Sequence, residues 1–372
     1  MSEASSVRLN NRVYELQARD ADVITLSLGE AFFDLPVPSF ADLPPTRIHH
    51  YSHSRGLPLL REKLAKYYQG LSGAPTDPER EILVTAGSKA ALFMTLTALI
   101  EPGDEVIIPE PLWVSYPDQV RLCRGVPVLT PWYESVEDIA SYITPRTRVI
   151  IVNNPHNPSG RRLGRAELMR LHELADRHGV YLLADEAYNE FVPQPDDFVS
   201  CLAFDPDKEH TVVCNSMSKN YGISGWRIGY LIANPRLVDQ ILKLQQHIFT
   251  CPPTILSYYL AEHFETVLEH TRPQIQRVVE LRNRLAAELL DDGVSCLPGD
   301  STFYLFAPLG ESRLGSEEFA EELLHRNKVS VVPGIGYGAS CDRFVRISVG
   351  AESEERLRRG ISAVRMLIEA TR

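Results

Sequence analysis

The sequence predicts an α/β protein, with a large domain built on a mostly parallel mixed sheet sandwiched by helices and a smaller α+β domain from both chain ends. Three observations predict it. Between about residues 81 and 232, short apolar runs alternate with helical stretches, the pattern of a parallel sheet covered on both faces. After about residue 235, long helices come first and short strands follow. A length of 372 residues, at about 150 per domain, corresponds to roughly two domains. The expected division is 1–45 for an N-terminal segment and part of the small domain, 46–270 for the large domain, and 271–372 for the rest of the small one.

Glu81–Ala86 reads as a buried strand and Ser88–Ile100 as an apolar helix. Glu105–Pro109 is the next strand, after the turn Pro102-Gly103-Asp104. Trp113–Arg124 is expected to be helical despite Pro117, and Val126–Leu129 to be a short strand. Arg148–Asn153 is strongly strand-like. Glu167–His178 is an amphipathic helix ended by Gly179, and Val180–Ala184 is a strand. Thr211–Asn215 and Ile228–Ile232 complete the alternation. Helices are then expected over 235–248, 254–269 and 272–291. Strand-like runs at Ser301–Phe306, Val329–Val332 and Phe344–Ser348 surround a helix near 316–326, and a charged helix starts at Ser353. There is no internal repeat and no low-complexity tract.

Hydrophobic residues are 44% and charged residues 23% of the chain, ordinary for a globular protein. The net charge of −11 opposes non-specific binding to nucleic acid or to an anionic membrane. Six scattered cysteines without a CxxC pair argue against a disulfide framework or a zinc site, so no metal is expected. Residues 1–10 lack an apolar signal core, and Ala90–Ile100 is too short to span a bilayer. A soluble cytoplasmic protein is the expectation.

Several familiar motifs fail. No GxxxxGK[ST] occurs. Gly334-Ile-Gly336-Tyr-Gly338 precedes a strand instead of opening a helix, which argues against a dinucleotide fingerprint. His172-Glu-Leu-Ala-Asp176 lacks the second histidine of a zinc helix. His49-His50-Tyr-Ser-His53 leads into Gly56-Leu-Pro58, not a regular helix, and fits a loop bonding a ligand or a partner chain.

Five segments at expected strand ends make one chemical sense, because ligands of open α/β sheets collect beyond the carboxyl ends of strands. Thr85-Ala-Gly87-Ser88-Lys89 joins a strand to a helix, and small residues there leave backbone N–H groups facing an anion. Asn153-Asn-Pro-His-Asn157-Pro158-Ser-Gly160 is a stiff loop holding Asn157, either an Asx turn or an amide aimed at a phenolic oxygen. Asp185 ends an apolar strand, where it either caps a helix or pairs with a buried cation such as a protonated pyridine nitrogen. Tyr188 lies three residues on. In Ser216-Met-Ser-Lys219 and Arg227, a lysine sits among small and hydroxylated residues. A desolvated lysine near a cation becomes a nucleophile for carbonyls, and Ser216 and Arg227 are natural phosphate ligands. Arg346 falls within a strand, where its guanidinium serves either an internal ion pair or a substrate carboxylate.

In order and joint chemistry, strand-Gly-Ser-Lys, Asn-Pro-x-Asn-Pro-[ST]-Gly, Asp-x-x-Tyr, Ser-x-x-Lys-x₇-Arg and a late arginine resemble the class I/II aminotransferases. These are the fold-type I pyridoxal-phosphate enzymes related to aspartate aminotransferase. The resemblance runs from Leu28-Gly29-Glu30 to the final helix, and is closest around Gly56–Glu62, Ala86–Leu92, Trp113–Pro117 and Pro333–Gly338. It implies that residues 46–270 bind pyridoxal 5′-phosphate and that Lys219 holds it as a Schiff base, later carrying the proton between substrate Cα and C4′. It implies that Asp185 pairs with the ring nitrogen, that Asn157 and Tyr188 bond the ring oxygen, and that Trp113 stacks on the ring. Gly87, Ser88, Lys89, Ser216 and Arg227 would surround the phosphate. Tyr51 matches a tyrosine that reaches the neighbouring subunit's phosphate, which implies a homodimer with shared active sites. Gly29, Asn157 and Arg346 would hold the substrate, an amino acid or a 2-oxo acid.

The chain departs from the family at Gly29-Glu-Ala-Phe-Phe-Asp34, where Phe32 and Phe33 are expected to make the entrance apolar, and at His53 and Arg55, which are positioned to read a distal group in the partner's pocket. Lys89 matches a lysine that assists acidic substrates in some relatives, so it points to dicarboxylates while the phenylalanines point away. Transamination is the leading reading. Elimination or replacement, cyclisation or oxidation of an amino acid would use the same cofactor residues. A cofactor-fold regulator would need a DNA-binding module, for which the chain has no basic patch.

Overall fold

The structure is a computed structural model and describes residues 5–19, 21–35, 39–131 and 136–372. Residues 1–4 of the N-terminal segment lie outside these. The strands are β1 (Ile24–Thr25), β2 (Ile82–Thr85), β3 (Glu105–Pro109), β4 (Val126–Thr130), β5 (Thr147–Asn153), β6 (Tyr181–Asp185), β7 (Thr211–Ser216), β8 (Gly229–Ile232), β9 (Tyr304–Pro308), β10 (Val329–Ser330), β11 (Val332–Pro333) and β12 (Phe344–Ser348).

Seven of them form the central sheet in the order β2-β8-β7-β6-β5-β3-β4. Every neighbouring pair is parallel except those made by β8, which runs against both β2 and β7. The mixed, mostly parallel sheet expected from the alternating pattern is therefore present. Its strands are apolar on both faces because both faces are covered. Ile82, Val84, Ile150, Val152, Leu182 and Val213 point into one core layer with the helices Pro58–Ser72 and Arg165–His178. Leu83, Val149, Ile151, Leu183 and Val212 point the other way, onto Ser88–Leu99 and Pro235–Ile248.

Register sets the working edge. Asn153 pairs with Asp185, Asp185 with Cys214, and Gly229 with both Ser216 and Thr85. The carboxyl ends of β2, β5, β6 and β7 thus finish in one row, with the loop before β8 returning beside them.

A further core joins the two ends of the chain. Ile24 and Leu26 pack with Phe303, Leu305, Val345, Ile347 and Leu357. β1 pairs with β10, and β11, β12 and β9 form an antiparallel sheet behind the helices Ser316–Asn327 and Glu354–Ala370.

Several elements differ from expectation. The helix sought over Trp113–Arg124 is only Tyr116–Leu122, and it begins where Pro117 can sit in the first turn without losing a hydrogen bond. The two helices expected over 254–269 and 272–291 lie in one helical run, Thr254–Asp291, kinked into two at His263 and not near residue 270; Pro273 lies inside the second. The run Ser301–Phe306 becomes a strand only from Tyr304. Val329–Val332 divides between two sheets. Pro58, read as part of an irregular connection, opens a helix to Ser72 that buries Leu60, Leu64 and Tyr68 on one face. Ser5–Gln17 is also helical.

Candidate active site

A cavity of about 460 Å³ opens at the row of strand ends. It is lined by Gly29, Ser88, Lys89, Trp113, Asn157, Asp185, Tyr188, Ser216, Lys219, Arg227 and Arg346, residues drawn from both chain ends and from the middle. Gly87 lies just behind this wall: a Cβ there would come within 2.6 Å of Arg227 Nη2. Tyr51 stands apart on the surface, 84% exposed. Phe32 and Phe33 do not form the expected apolar entrance. Phe32 lines a separate small cavity, and Phe33 packs on Phe191, whereas Gly29 and Glu30 line the main one. Arg55 is tied to Asp239 at 2.7 Å within its own chain.

Lys219 follows β7 in the short helix Met217–Asn220. It is half-buried, and its Nζ donates to the Gly29 carbonyl. Burial lowers its pKa to about 8; Arg346 and Arg227 push the same way, against Glu30 and Asp185. An amine in this range supplies an uncharged fraction near neutrality, which a carbonyl-attacking lysine needs.

Asp185 ends β6 and is buried. Its Oδ2 accepts from the Tyr116 hydroxyl at 2.7 Å and its Oδ1 from the Ala187 N–H at 3.3 Å. Burial raises its pKa, and these hydrogen bonds oppose the rise. Tyr188 is buried with its hydroxyl 3.0 Å from that of Tyr304.

Asn157 is buried, and its N–H donates to Asn153 Oδ1 at 2.7 Å. Arg346, 4% exposed, donates to the Ser27 carbonyl at 2.8 Å and to Asn157 Oδ1 at 3.4 Å. Its Nε is buried without a partner, and among the described residues no carboxylate pairs with it.

At the opposite end, Ser88 opens a helix behind Gly87, whose φ of +84° is a conformation natural to glycine, and no side chain caps that helix. Its first residues, Ser88 and Lys89, line the cavity beside Ser216, Ser218 and Arg227. Arg227 Nη1 is steadied by the Ser224 carbonyl at 2.7 Å. Lys89 lies with Nζ 5.0 Å from the centre of the Trp113 ring, and partial burial together with Arg227 lowers its pKa. Uncapped N–H groups, hydroxyls and a guanidinium at one point suit a phosphate.

Sequence reasoning missed Tyr116, Tyr304, Ser27, Glu30 and Asn10. Tyr116 read as an ordinary helix residue and Tyr304 as one more aromatic in an apolar run. Glu30, next to Gly29, was the one signal at hand: an acid beside a backbone group expected to meet substrate.

The sequence model described as "Aminotransferase class I and II" matches residues 22–364. The chain belongs to the class I and II aminotransferases. It is 32% identical over 359 residues to an aspartate aminotransferase of Pyrococcus abyssi, with 92% of this chain and 91% of that one covered. It is 32% identical over 358 residues to aromatic-amino-acid aminotransferase 2 of Thermococcus litoralis, again covering 92% and 91%. The fold is similar to a Thermus thermophilus aspartate aminotransferase solved with maleate, at TM-score 0.89 and 29% identity over 99% of this chain and 97% of that one. As a class I and II aminotransferase the protein is a pyridoxal-phosphate-dependent enzyme that transfers amino groups between amino acids and 2-oxo acids; elimination, cyclisation or oxidation is not the favoured outcome. The donor set of the cavity suits the family's cofactor, with one lysine, one buried carboxylate and a phosphate cradle at its far end. No helix among the described residues is long and apolar enough to cross a membrane.

Proposed function

We propose that this cavity is the pyridoxal-phosphate site and that Lys219 is the residue that holds the cofactor. The row of strand ends supports it, because it puts a lowered-pKa amine, a buried carboxylate and an uncapped helix N-terminus around one cavity. When bound, the pyridoxal ring serves as an electron sink for charge developing at the substrate Cα. Asp185 supplies the anion that keeps the ring nitrogen protonated, and Tyr116 orients that carboxylate. Tyr188 and Asn157 would hydrogen-bond the ring oxygen, and Trp113 would offer its face for stacking. Gly87, Ser88, Lys89, Ser216 and Arg227 take the phosphate end. Once substrate displaces it, the Lys219 amine is placed to remove and return the Cα proton.

Arg346 with Gly29 receives the substrate α-carboxylate. Its unpartnered Nε, and the lack of a carboxylate partner among the described residues, support this assignment. The substrate class we infer is a dicarboxylic amino acid, since Lys89 is a cation on the cavity wall and the phenylalanines that argued otherwise lie elsewhere. The relatives named for aspartate fit this; the one named for aromatic amino acids makes aromatic donors the comparison to run.

Tyr51, so exposed in one chain, is assigned to the phosphate of a second copy, making the enzyme a homodimer with shared sites. A division at about residue 270 is also proposed. The first part of the long helix packs Tyr259, Phe264 and Leu268 in the large core, and its second part packs Ile275, Val279 and Leu285 in the small one.

The test is a panel of amino acids mixed singly with pyridoxal-phosphate-loaded enzyme. Aspartate or glutamate should convert the bound cofactor to its amine form, and 2-oxoglutarate should reverse the change. Conversion by aromatic donors alone would overturn the dicarboxylate assignment, and no conversion by any amino acid would overturn the site.

A further inference from the structure

Tyr304 touches three parts of the cavity at once. It opens β9 and is 1% exposed. Its backbone carbonyl accepts from Arg282 Nε at 2.9 Å and its N–H donates to Thr302 Oγ1 at 3.2 Å, so its Cα is fixed from behind. In front, the Arg346 guanidinium lies over its ring, 4.2 Å from the centroid. Its hydroxyl meets that of Tyr188 at 3.0 Å. A Cβ on Gly29 would approach the same hydroxyl to 3.3 Å, so the ring has little room to swing.

We propose that Tyr304 is a positioning residue that couples the carboxylate subsite to the ring-oxygen subsite, its ring face orienting Arg346 and its hydroxyl donating to Tyr188. The inference rests on the cofactor site proposed above. Arg346 needs such a partner because no carboxylate among the described residues steers it, and an aromatic face attracts a guanidinium without neutralising it. A carboxylate in the same place would hold the arginine as firmly but would compete with the substrate.

The hydroxyl acts in the other direction. When Tyr188 donates to the ring oxygen it has an acceptor lone pair free, and Tyr304 fills it. A phenol that accepts a hydrogen bond is a stronger donor. Stronger donation withdraws charge from the ring oxygen, and so lowers the proton affinity of the nitrogen joining Lys219 to the cofactor. Burial raises the pKa of both phenols, and the Arg346 charge opposes that rise at both.

Two variants separate the two roles. Tyr304→Phe keeps the ring and deletes the hydroxyl. Tyr304→Leu deletes both, with Tyr304→Met in its place if that variant does not fold. The readouts are the pH titration of the visible band of loaded enzyme without substrate, and the dissociation constant of an unreactive 2-methyl amino acid. Tyr304→Phe should raise the midpoint of the band titration by roughly half to one pH unit and leave analogue affinity within about twofold. Tyr304→Leu should weaken the analogue by about tenfold, the loss of one desolvated cation–π contact. An unmoved midpoint in Tyr304→Phe overturns the hydroxyl coupling, and unchanged analogue affinity in Tyr304→Leu overturns the orienting role. A wild-type protein that takes up pyridoxal phosphate with no pH-dependent band would overturn the cofactor reading itself and the coupling with it.

Discussion

Arg282 and Arg346 reach Tyr304 from opposite sides, and they are held in opposite ways. Arg282 belongs to the polar core behind the cavity and is 1% exposed. It donates from Nε to the Tyr304 carbonyl, from Nη2 to the Ser159 carbonyl at 3.0 Å, and from Nη1 to Asn283 at 2.9 Å and to the Gly299 carbonyl. Every nitrogen has a partner. Arg346, equally removed from solvent, has one good acceptor, one long one and an orphaned Nε. The neighbours Asp185 and Glu186 repeat the contrast. Glu186, pointing away from the cavity, accepts from the Ser200 hydroxyl, the Cys201 N–H and the Tyr68 hydroxyl. Asp185, lining the cavity, accepts one side-chain hydroxyl and one longer N–H. Buried charge that serves the fold is saturated, and buried charge that serves a ligand is left short.

The polar core also backs the site residue by residue. Asn215 precedes Ser216, Asn189 follows Tyr188 and Asn220 follows Lys219. Asn189 Oδ1 accepts from both Asn215, at 2.9 Å, and Asn220, at 2.7 Å. One amide oxygen therefore ties the segment carrying Tyr188 to the one carrying Ser216 and Lys219.

Four measurements break or sharpen this contrast. The largest effect belongs to Arg346→Leu, which should lower kcat/KM by about 2–5 kcal/mol of transition-state stabilisation. Its thermal midpoint should stay close to wild type, because no carboxylate among the described residues is stranded. A large fall in melting temperature would mean that Arg346 is structural after all. Arg282→Leu should do the reverse. Stranding three buried carbonyls costs about 2–4 kcal/mol of stability, read by denaturant unfolding, while KM of the folded enzyme holds.

The third concerns Glu186. Burial raises its pKa from the ordinary value of 4.5 to about 7, against the hydrogen bonds it accepts. The folded protein therefore binds this proton more tightly than the unfolded chain does. Its contribution is complete below pH 4.5 and is lost as pH rises through 7, a change on the order of 3 kcal/mol. Glu186→Gln should flatten that part of the stability–pH curve, and an unaltered slope would show that the carboxylate stays charged throughout. The smallest effect is at the exposed cavity rim. Lys89→Gln should lower kcat/KM for dicarboxylic amino acids by roughly fivefold and spare aromatic ones. An equal loss for both would assign Lys89 to the cofactor alone.

The sheet was legible in the sequence because a strand buried on both faces must be a short apolar run, and such runs end visibly at Asn153, Asp185 and Ser216. The chemistry-bearing residues sit at those ends, so most of the cavity wall could be named in advance. What escaped depends on distance in the chain. Tyr116 meets Asp185 across 69 residues and Tyr304 meets Tyr188 across 116, and neither hydroxyl advertises its partner locally. The helix Pro58–Ser72 was hidden because proline suits a first helical turn as well as a loop. Near His263 no glycine or proline marks the break, which falls within the stretch that packs on the large core, ahead of the passage to the small one. Phe32 and Phe33 misled because adjacency to Gly29 in sequence does not keep them at the cavity.

The central claim is that one lysine, among those in the chain, carries the cofactor. Purified protein loaded with pyridoxal phosphate, reduced with borohydride and digested, can be mapped by peptide mass. A single stable phosphopyridoxyl adduct is expected on Lys219, absent from Lys219→Ala. An adduct on Lys89 or another lysine in the native enzyme, or one that persists in Lys219→Ala at undiminished yield, would contradict it.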